Sequence, residues 1–285
     1  MSDGFLLVDK PAGPTSHDVV AVARRGLGTR RVGHAGTLDP FATGLLPLLI
    51  GRATRLMPYL SGLTKRYVGT LRLGEATTTD DRTGEPMLAS SQADAISDDR
   101  LGEAMDRLTG CLTQLPPAFS AKKVGGKPAY RRARRGEAVV LRPVTVEVFR
   151  FAVLARDGRD VEFEAQVGGG TYIRALARDL GAALGCGAHL RALRRVAVGP
   201  WSIDHACAFA DLQRGAVVIA DVLAAVSHLA HRVITAEERH AVGHGRPIDG
   251  ACDGTAVALL HDGALIAVAT PHAGRLKPRV VLEPL

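Results

Sequence analysis

The 285-residue chain lacks the residue patterns that mark several common chemistries. Its four cysteines, Cys111, Cys186, Cys207 and Cys252, lie far apart and form no Cys-x-x-Cys pair. That leaves a disulfide framework and a zinc site without support. Ten histidines are scattered along the chain, and the closest pair, His228 and His231, reads more simply as part of a helix end than as metal ligands. No P-loop and no dinucleotide-binding glycine fingerprint occurs, so neither metal nor cofactor is expected. No apolar run approaches the roughly 18–20 residues that cross a bilayer. The run Leu45–Ile50 reads as a buried strand. The opening MSDGFLLVDK has no basic stretch followed by an apolar one, which argues against a signal peptide and for a cytoplasmic protein without a membrane partner. With 46% hydrophobic and 23% charged residues, the composition is that of a folded globular chain.

What the chain does have is an uneven charge distribution. Lys and Arg number 36 against 29 Asp and Glu, a net charge of +7. Residues 122–135, KKVGGKPAYRRARR, hold seven cations and no anion: Lys122, Lys123, Lys127, Arg131, Arg132, Arg134 and Arg135. Removing them leaves 29 charges of each sign, so the whole excess sits in 14 residues. A polyanion is the natural partner of such a patch, although charge alone fits a solvated loop equally well.

The pattern of elements argues for an α+β fold with a mixed, mainly antiparallel sheet. Gly4–Val8 reads as a strand. Ser16 is a candidate N-cap for a helix over HDVVAVARRGLG. RRVGH and Leu45–Ile50 read as strands around the loop AGTLDPFATG. In KRYVGTLRLG, Tyr67, Gly69, Leu71 and Leu73 alternate onto one strand face. A helix begins near Ser97 in an acidic stretch, and a short one is expected over Tyr130–Arg135 after a Gly125-Gly126 turn. Val144, Val146 and Val148 alternate, as do Val161, Phe163, Ala165 and Val167, and an Asp-Gly turn between them predicts a hairpin. Thr171 is a candidate cap for a helix with an apolar stripe at Ile173, Leu176, Ala177, Leu180 and Leu184. Residues 188–199 return as a strand, and a helix is expected around 218–230. From there the character changes to short strands with glycine turns. The spacing predicts a main domain over residues 1–230 and a small β module over 233–285.

Three places carry possible chemistry. GHAGTLDPFATG sets Asp39 before Pro40 in a glycine-rich loop, a pair that is ordinarily just a turn. GGGTYIRALARDLG puts Tyr172 and Arg174 at a helix start, with Arg174 and Arg178 off the apolar stripe, where a solvated face is the plainer reading. Lys65, Arg66 and Tyr67 form a basic-aromatic cluster. Cations give sequence-independent phosphate affinity, tyrosine rings can stack on bases, and a loop aspartate can serve as nucleophile or base. Together they point to RNA.

These motifs resemble those of the tRNA-uridine-55 pseudouridine synthases. The resemblance rests on VDKPAGPTSHDVV, GHAGTLDPFATGLL, KRYVGTLRLGEATTTDD, PPAFSAKKVGGKPAYRRARRGE, GGGTYIRALARDLG and HLRALRRVAVGP, in the family's order over residues 4–200. It implies a catalytic domain of pseudouridine-synthase type, followed by a small PUA-like RNA-binding module. It also implies isomerisation of a T-loop uridine to pseudouridine after base flipping. Asp39 would be the nucleophile, attacking either uracil C6 or ribose C1′, with Arg174 as its cation. Tyr67 would stack on the target base and assist proton removal from C5. His34 would fill the space that the flipped base vacates. Asp81 would anchor the nucleotide, while Tyr172 and Leu193 line the uracil pocket. Lys65 and the 122–135 segment would contact RNA. The implied partner is tRNA, met by a monomer without a protein partner. Two other readings stay open: a non-catalytic tRNA-binding chaperone, and a sister synthase that works with a guide RNA.

Overall fold

A computed structural model describes residues 3–119, 123–124, 127–128, 135 and 141–282. In chain order it begins with β1 (Gly4–Lys10), α1 (Ser16–Gly26), β2 (Val32–His34), β3 (Thr43–Ile50), α2 (Met57–Ser61), β4 (Lys65–Leu73), β5 (Glu75–Thr77) and β6 (Pro86–Ala89). Then come α3 (Asp98–Asp106), β7 (Gly110–Gln114), β8 (Lys123–Val124), β9 (Lys127–Pro128), β10 (Val144–Asp157), β11 (Asp160–Val167), α4 (Ile173–Leu184) and β12 (Ala188–Val198). The remainder is β13 (Trp201–Ser202), β14 (Cys207–Ala208), α5 (Phe209–Arg214), β15 (Ala230–Val233), α6 (Ala236–Gly243), β16 (Ile248–Asp249), β17 (Val257–His261), β18 (Ala264–His272) and β19 (Arg275–Val281). No helix among the described residues is long and apolar enough to cross a membrane.

The chain divides into two compact units. One comprises Met1–Leu38, Leu45–Ser61 and Gly199–Leu285; the other comprises Asp39–Gly44 and Gly62–Val198.

In the first unit β1 pairs in parallel with β14, and β2 pairs antiparallel with the end of β3. Leu6, Val8, Val19, Val20, Ala23, Leu46, Leu48 and Ile50 form its core. The cap of α1 is Thr15 rather than the expected Ser16. Thr15 and Asp18 form a reciprocal capping box, which satisfies two helix-end donors at once. Ser16 is buried, and its hydroxyl accepts from Leu38 N at 2.8 Å and donates to Leu38 O at 3.1 Å. The helix expected around 218–230 is instead a single 3-10 turn, Val222–Val226, followed by β15. The β-branched run Val217–Ile219 before it favours extended backbone, and Asp221 caps the turn by accepting from Leu223 N at 2.7 Å. The last strands form a five-stranded sheet in the order β15-β17-β18-β19-β16. Ile234, Val257, Leu259, Ile266 and Leu276 fill its core beside Val242 of α6.

In the second unit β12, β4, β11, β10 and β7 lie side by side, all antiparallel, and the first residues of β3 join β12 in parallel. The mixed, mainly antiparallel α+β class is therefore as expected. So is the β10–β11 hairpin, which closes on Asp157↔Asp160 around Gly158. The alternation in β4 buries Tyr67, Leu71 and Leu73, and the matching alternation in β11 buries Val161, Phe163, Ala165 and Val167. The apolar stripe of α4 is buried too, and α4 ends on left-handed Gly185. Its N-cap is Tyr172, not Thr171. The Thr171 hydroxyl turns back to donate to Gly168 O at 3.1 Å, and no side chain caps the helix.

Gly44 fixes where the 39–44 loop enters β3. Its φ is +105°, and a Cβ there would stand 2.2 Å from Arg195 O and 2.7 Å from Arg195 N. Both atoms are backbone of the neighbouring strand and have no freedom to withdraw. Gly44→Ala should therefore cost at least about 2 kcal/mol in urea unfolding, strain and clash together. Gly13→Ala is the control, with φ at +108° and nothing within 4 Å. It should lose only the strain, about 1 kcal/mol. Equal midpoints for the two variants would show that the close approach at Gly44 does not matter.

Candidate active site

The second unit brings three separated segments onto one side chain. Arg174 sits in the first turn of α4 with 4% of its side chain exposed. Its Nε contacts Asp39 Oδ2 at 2.9 Å, and its Nη2 donates to Asp39 Oδ1 at 3.1 Å. Nη2 also donates to Phe119 O at 2.9 Å, and Nη1 to Thr79 O at 2.9 Å. Nη1 further faces Asp81 Oδ2 at 3.5 Å. A guanidinium carries five N–H groups in a fixed fork, and here five oxygens meet them.

The two carboxylates around Arg174 differ in access. Asp81 is 5% exposed at its side chain, and its Oδ1 accepts from Thr79 Oγ1 at 2.8 Å and from Thr83 N and Oγ1 at 2.9 and 2.5 Å. A nucleotide reaches it only by displacing one of those partners. Asp39 leaves 35% of its side chain open while both its oxygens face the arginine. Such a carboxylate is oriented and reachable, which suits a nucleophile.

The turn carrying Asp81 is held from several sides. Asp80 has a left-handed backbone, φ +59°. Its carbonyl accepts from Leu190 N at 3.1 Å, and Arg82 N donates to Leu190 O at 2.8 Å, which lashes the turn to β12. Burial raises the Asp80 carboxyl above its ordinary pKa, opposed by the guanidinium groups of Arg178 and Arg174. Arg178 lies one helical turn beyond Arg174 and faces Asp80 Oδ2 at 3.4 Å and Asp179 Oδ1 at 2.9 Å. Its Nη2 donates to Leu115 O at 2.9 Å. The expectation of a solvated face for these two arginines thus fails. Residues i and i+4 share a helix side, and this side looks onto the carboxylates of the 79–81 turn.

Tyr67 is buried in β4, opposite Arg195 of β12, and Leu193 lies opposite Gly69, so Leu193 and Tyr67 are near neighbours on one sheet face. Tyr172 is anchored through its backbone: its N–H donates to Gln114 Oε1 at 2.8 Å, and its carbonyl accepts from Gln114 Nε2 at 3.2 Å. Gln114, the buried partner in that clamp, was not singled out by the sequence, where it is one polar residue at the end of a strand. Lys65 differs from the expected surface phosphate contact. It is buried, its ammonium donates to Leu63 O at 2.7 Å, and its pKa is pushed down to about 8 by burial and by the Arg195 charge. His34 belongs to the first unit, half-buried at the end of β2 with its ring edge-on to His17 at 5.3 Å.

Of the basic segment, Lys123 and Lys127 fall in the paired strands β8 and β9, and Arg135 is exposed in a turn. Lys122, Arg131, Arg132 and Arg134 lie outside the described residues, as do the Gly125-Gly126 turn and all but Arg135 of the short helix expected there.

The comparisons with known proteins converge on one family. Residues 24–173 match the N-terminal domain of TruB family pseudouridylate synthases, and residues 174–238 match the tRNA pseudouridylate synthase B C-terminal domain. The chain is 46% identical to the tRNA pseudouridine synthase B of Thermobifida fusca (strain YX), with 99% of each chain covered. It is 47% identical to that of Nocardia farcinica (strain IFM 10152), covering 99% of this chain and 94% of the other. Among solved structures, a chain of a Cbf5-Nop10-Gar1 complex superposes with a TM-score of 0.75 at 29% identity, covering 99% of this chain and 85% of that one. A chain of an H/ACA RNP bound to a substrate RNA containing 2'-deoxyuridine gives 0.74 at 27% identity, with the same shares covered. With both domains matched and relatives alike over nearly their whole length, the chain belongs to the TruB family of pseudouridine synthases.

Proposed function

We propose that this protein isomerises uridine 55, in the T-loop of tRNA, to pseudouridine, with Asp39 as the nucleophile. The observation that carries the reading is the contrast between a nearly closed Arg174 and a part-open Asp39 gripped by it. A pure RNA binder gains nothing from an accessible carboxylate beside phosphates. The full-length likeness to enzymes named tRNA pseudouridine synthase B supports tRNA as the substrate. In this reading the synthase acts alone, as a monomer in the cytoplasm, rather than guided by a second RNA.

The target base leaves the T-loop stack, at a cost of a few kcal/mol, and enters the pocket. The Asp39 carboxylate attacks C6 of uracil or C1′ of ribose. The bond between N1 and C1′ breaks, the base turns without leaving, and C5 bonds to C1′. Release of the aspartyl bond, loss of the C5 proton and gain of a proton at N1 restore the uracil ring. Atoms and electrons balance within the substrate. Tyr67 stacks on the base and offers its hydroxyl toward the C5 proton. Leu193 and Tyr172 line the uracil pocket, and His34 takes the place of the flipped base. Asp81 anchors the nucleotide and braces Arg174, while Lys122, Lys123, Lys127 and the arginines at 131, 132, 134 and 135 supply phosphate affinity. The module over 233–285, PUA-like in this reading, touches RNA outside the T-arm.

Asp39→Asn should abolish tritium release from 5-tritiated uridine in tRNA while filter binding stays within about threefold, since phosphate contacts carry most affinity. Arg174→Met should cripple release and also lower stability by about 3–5 kcal/mol, because it leaves carboxylates without their buried cation. Arg174→Lys should rescue only in part, a point charge replacing a fork. Near wild-type release from Asp39→Asn removes the nucleophile assignment.

Tyr67→Phe tells stacking from proton removal. The phenyl ring still stacks, so a severe loss of product with retained binding assigns a task to the hydroxyl. Full activity in Tyr67→Phe leaves stacking as the whole role.

Replacing Arg131, Arg132, Arg134 and Arg135 together by Gln should weaken T-arm binding. It should also flatten log affinity against log salt by somewhat under about one unit per lost phosphate contact. An unchanged salt slope would take these residues out of the RNA interface.

A further inference from the structure

Arg178 has no part in the reaction as derived above, yet it stands one helical turn from the arginine that holds the nucleophile. Both arginines bind the same two stretches of chain. Arg174 bonds Thr79 O and Phe119 O; Arg178 faces Asp80 and bonds Leu115 O. Four carboxylates crowd this place, those of Asp39, Asp80, Asp81 and Asp179, against two guanidinium groups. Each charge therefore depends on how the two cations are shared.

Asp80 is the group on which the sharing turns. Its side chain is 17% exposed, and its left-handed backbone fixes where the carboxylate points. Arg178 meets it at 3.4 Å, and the Arg174 charge also acts on it. If Arg178 were absent, the half-buried Asp80 carboxylate would be left to the Arg174 charge. Three carboxylates would then compete for a guanidinium that has five N–H groups, all directed already. We propose that Arg178 is a positioning residue that keeps the Asp80 carboxylate occupied, so that Arg174 stays committed to Asp39 and Asp81. The inference rests on the reading of Asp39 and Arg174 as the reactive pair.

The pairing has a testable signature, because the fault caused by losing Arg178 lies in Asp80. Removing the competing charge should cure it. Asn at position 80 keeps the left-handed backbone, which Asn tolerates well, and drops the charge. Four proteins form the cycle: wild type, Arg178→Met, Asp80→Asn and the double variant. Single-turnover and steady-state pseudouridine formation on a T-arm hairpin are followed, with urea unfolding of each protein.

Arg178→Met should lower kcat about tenfold with KM within about twofold, a loss in the chemical step rather than in RNA capture. Asp80→Asn alone should stay within about threefold of wild type. The double variant should recover to within about threefold of wild type, and its unfolding midpoint should lie above that of Arg178→Met. Arg178→Lys should restore part of kcat. A double variant as slow as Arg178→Met overturns the proposal, because the arginine then acts by bracing Leu115 O. So does wild-type kcat in Arg178→Met. If Arg178→Met does not fold, a folded and active double variant supports the proposal, and a double variant that also fails to fold overturns it. Asp39→Asn serves as the control on the function. Inactive wild type, or active Asp39→Asn, counts against the proposed reaction, while the unfolding midpoints of the four proteins still decide whether Arg178 and Asp80 are coupled.

Discussion

The five N–H groups of Arg174 are the constraint around which the second unit is arranged. A guanidinium that is 4% exposed has no water to fall back on, so each donor must find an oxygen in the chain. Those oxygens come from Asp39 before β3, from Thr79 and Asp81 in the turn after β5, and from Phe119 after β7. None of these segments is near α4 in sequence. Completing the set requires the strands to be in register first, so the site is assembled by the fold and cannot precede it. The cost of burying the charge is offset only when all the partners are present, which makes a half-built site unfavourable.

The same cation produces two carboxylates of different character. Asp81 is enclosed by Thr79 and Thr83 and faces Arg174 with its other oxygen. Asp39 meets the arginine with both oxygens but remains partly open. The difference lies in the backbone rather than in the residue type. Asp81 is in a tight turn lashed to β12 through Leu190, whereas Asp39 comes from a glycine-rich loop delivered by Gly44 at a positive φ.

Much of the frame was legible in the sequence because it depends on local rules. The alternation in β4, β10 and β11, the Asp157-Gly158 turn and the stripe on α4 all follow from side-chain periodicity. The N-cap residues were misread by one position at both α1 and α4, since Ser16 and Thr171 suit a cap as well as their neighbours do. What decided against them was a distant partner, Leu38 for Ser16, and a competing local acceptor, Gly168 O, for Thr171. Asp39 and Arg174 were individually unremarkable, a turn aspartate and an arginine off the apolar stripe. They stood out only through a family resemblance that spans six motifs. The share of Asp80, Arg178 and Gln114 in the site was not legible at all. Their signal is three-dimensional, a set of polar and charged groups brought together from distant segments.

Charge is unevenly divided along the chain. The seven cations that make the chain basic lie together in 122–135, and the rest of the chain is balanced. In the Arg174–Arg178 network the count is reversed, four carboxylates to two guanidinium groups. A phosphate diester is attracted to the first and repelled by the second. A uracil ring is neutral and is repelled by neither. For the proposed reaction this charge division suits an RNA strand: the backbone is favoured where the sequence is basic, and a neutral base freed from its stack meets no repulsion at the acidic network. Asp80, half-buried in the same network, adds one of those carboxylates, and Arg178 faces it at 3.4 Å.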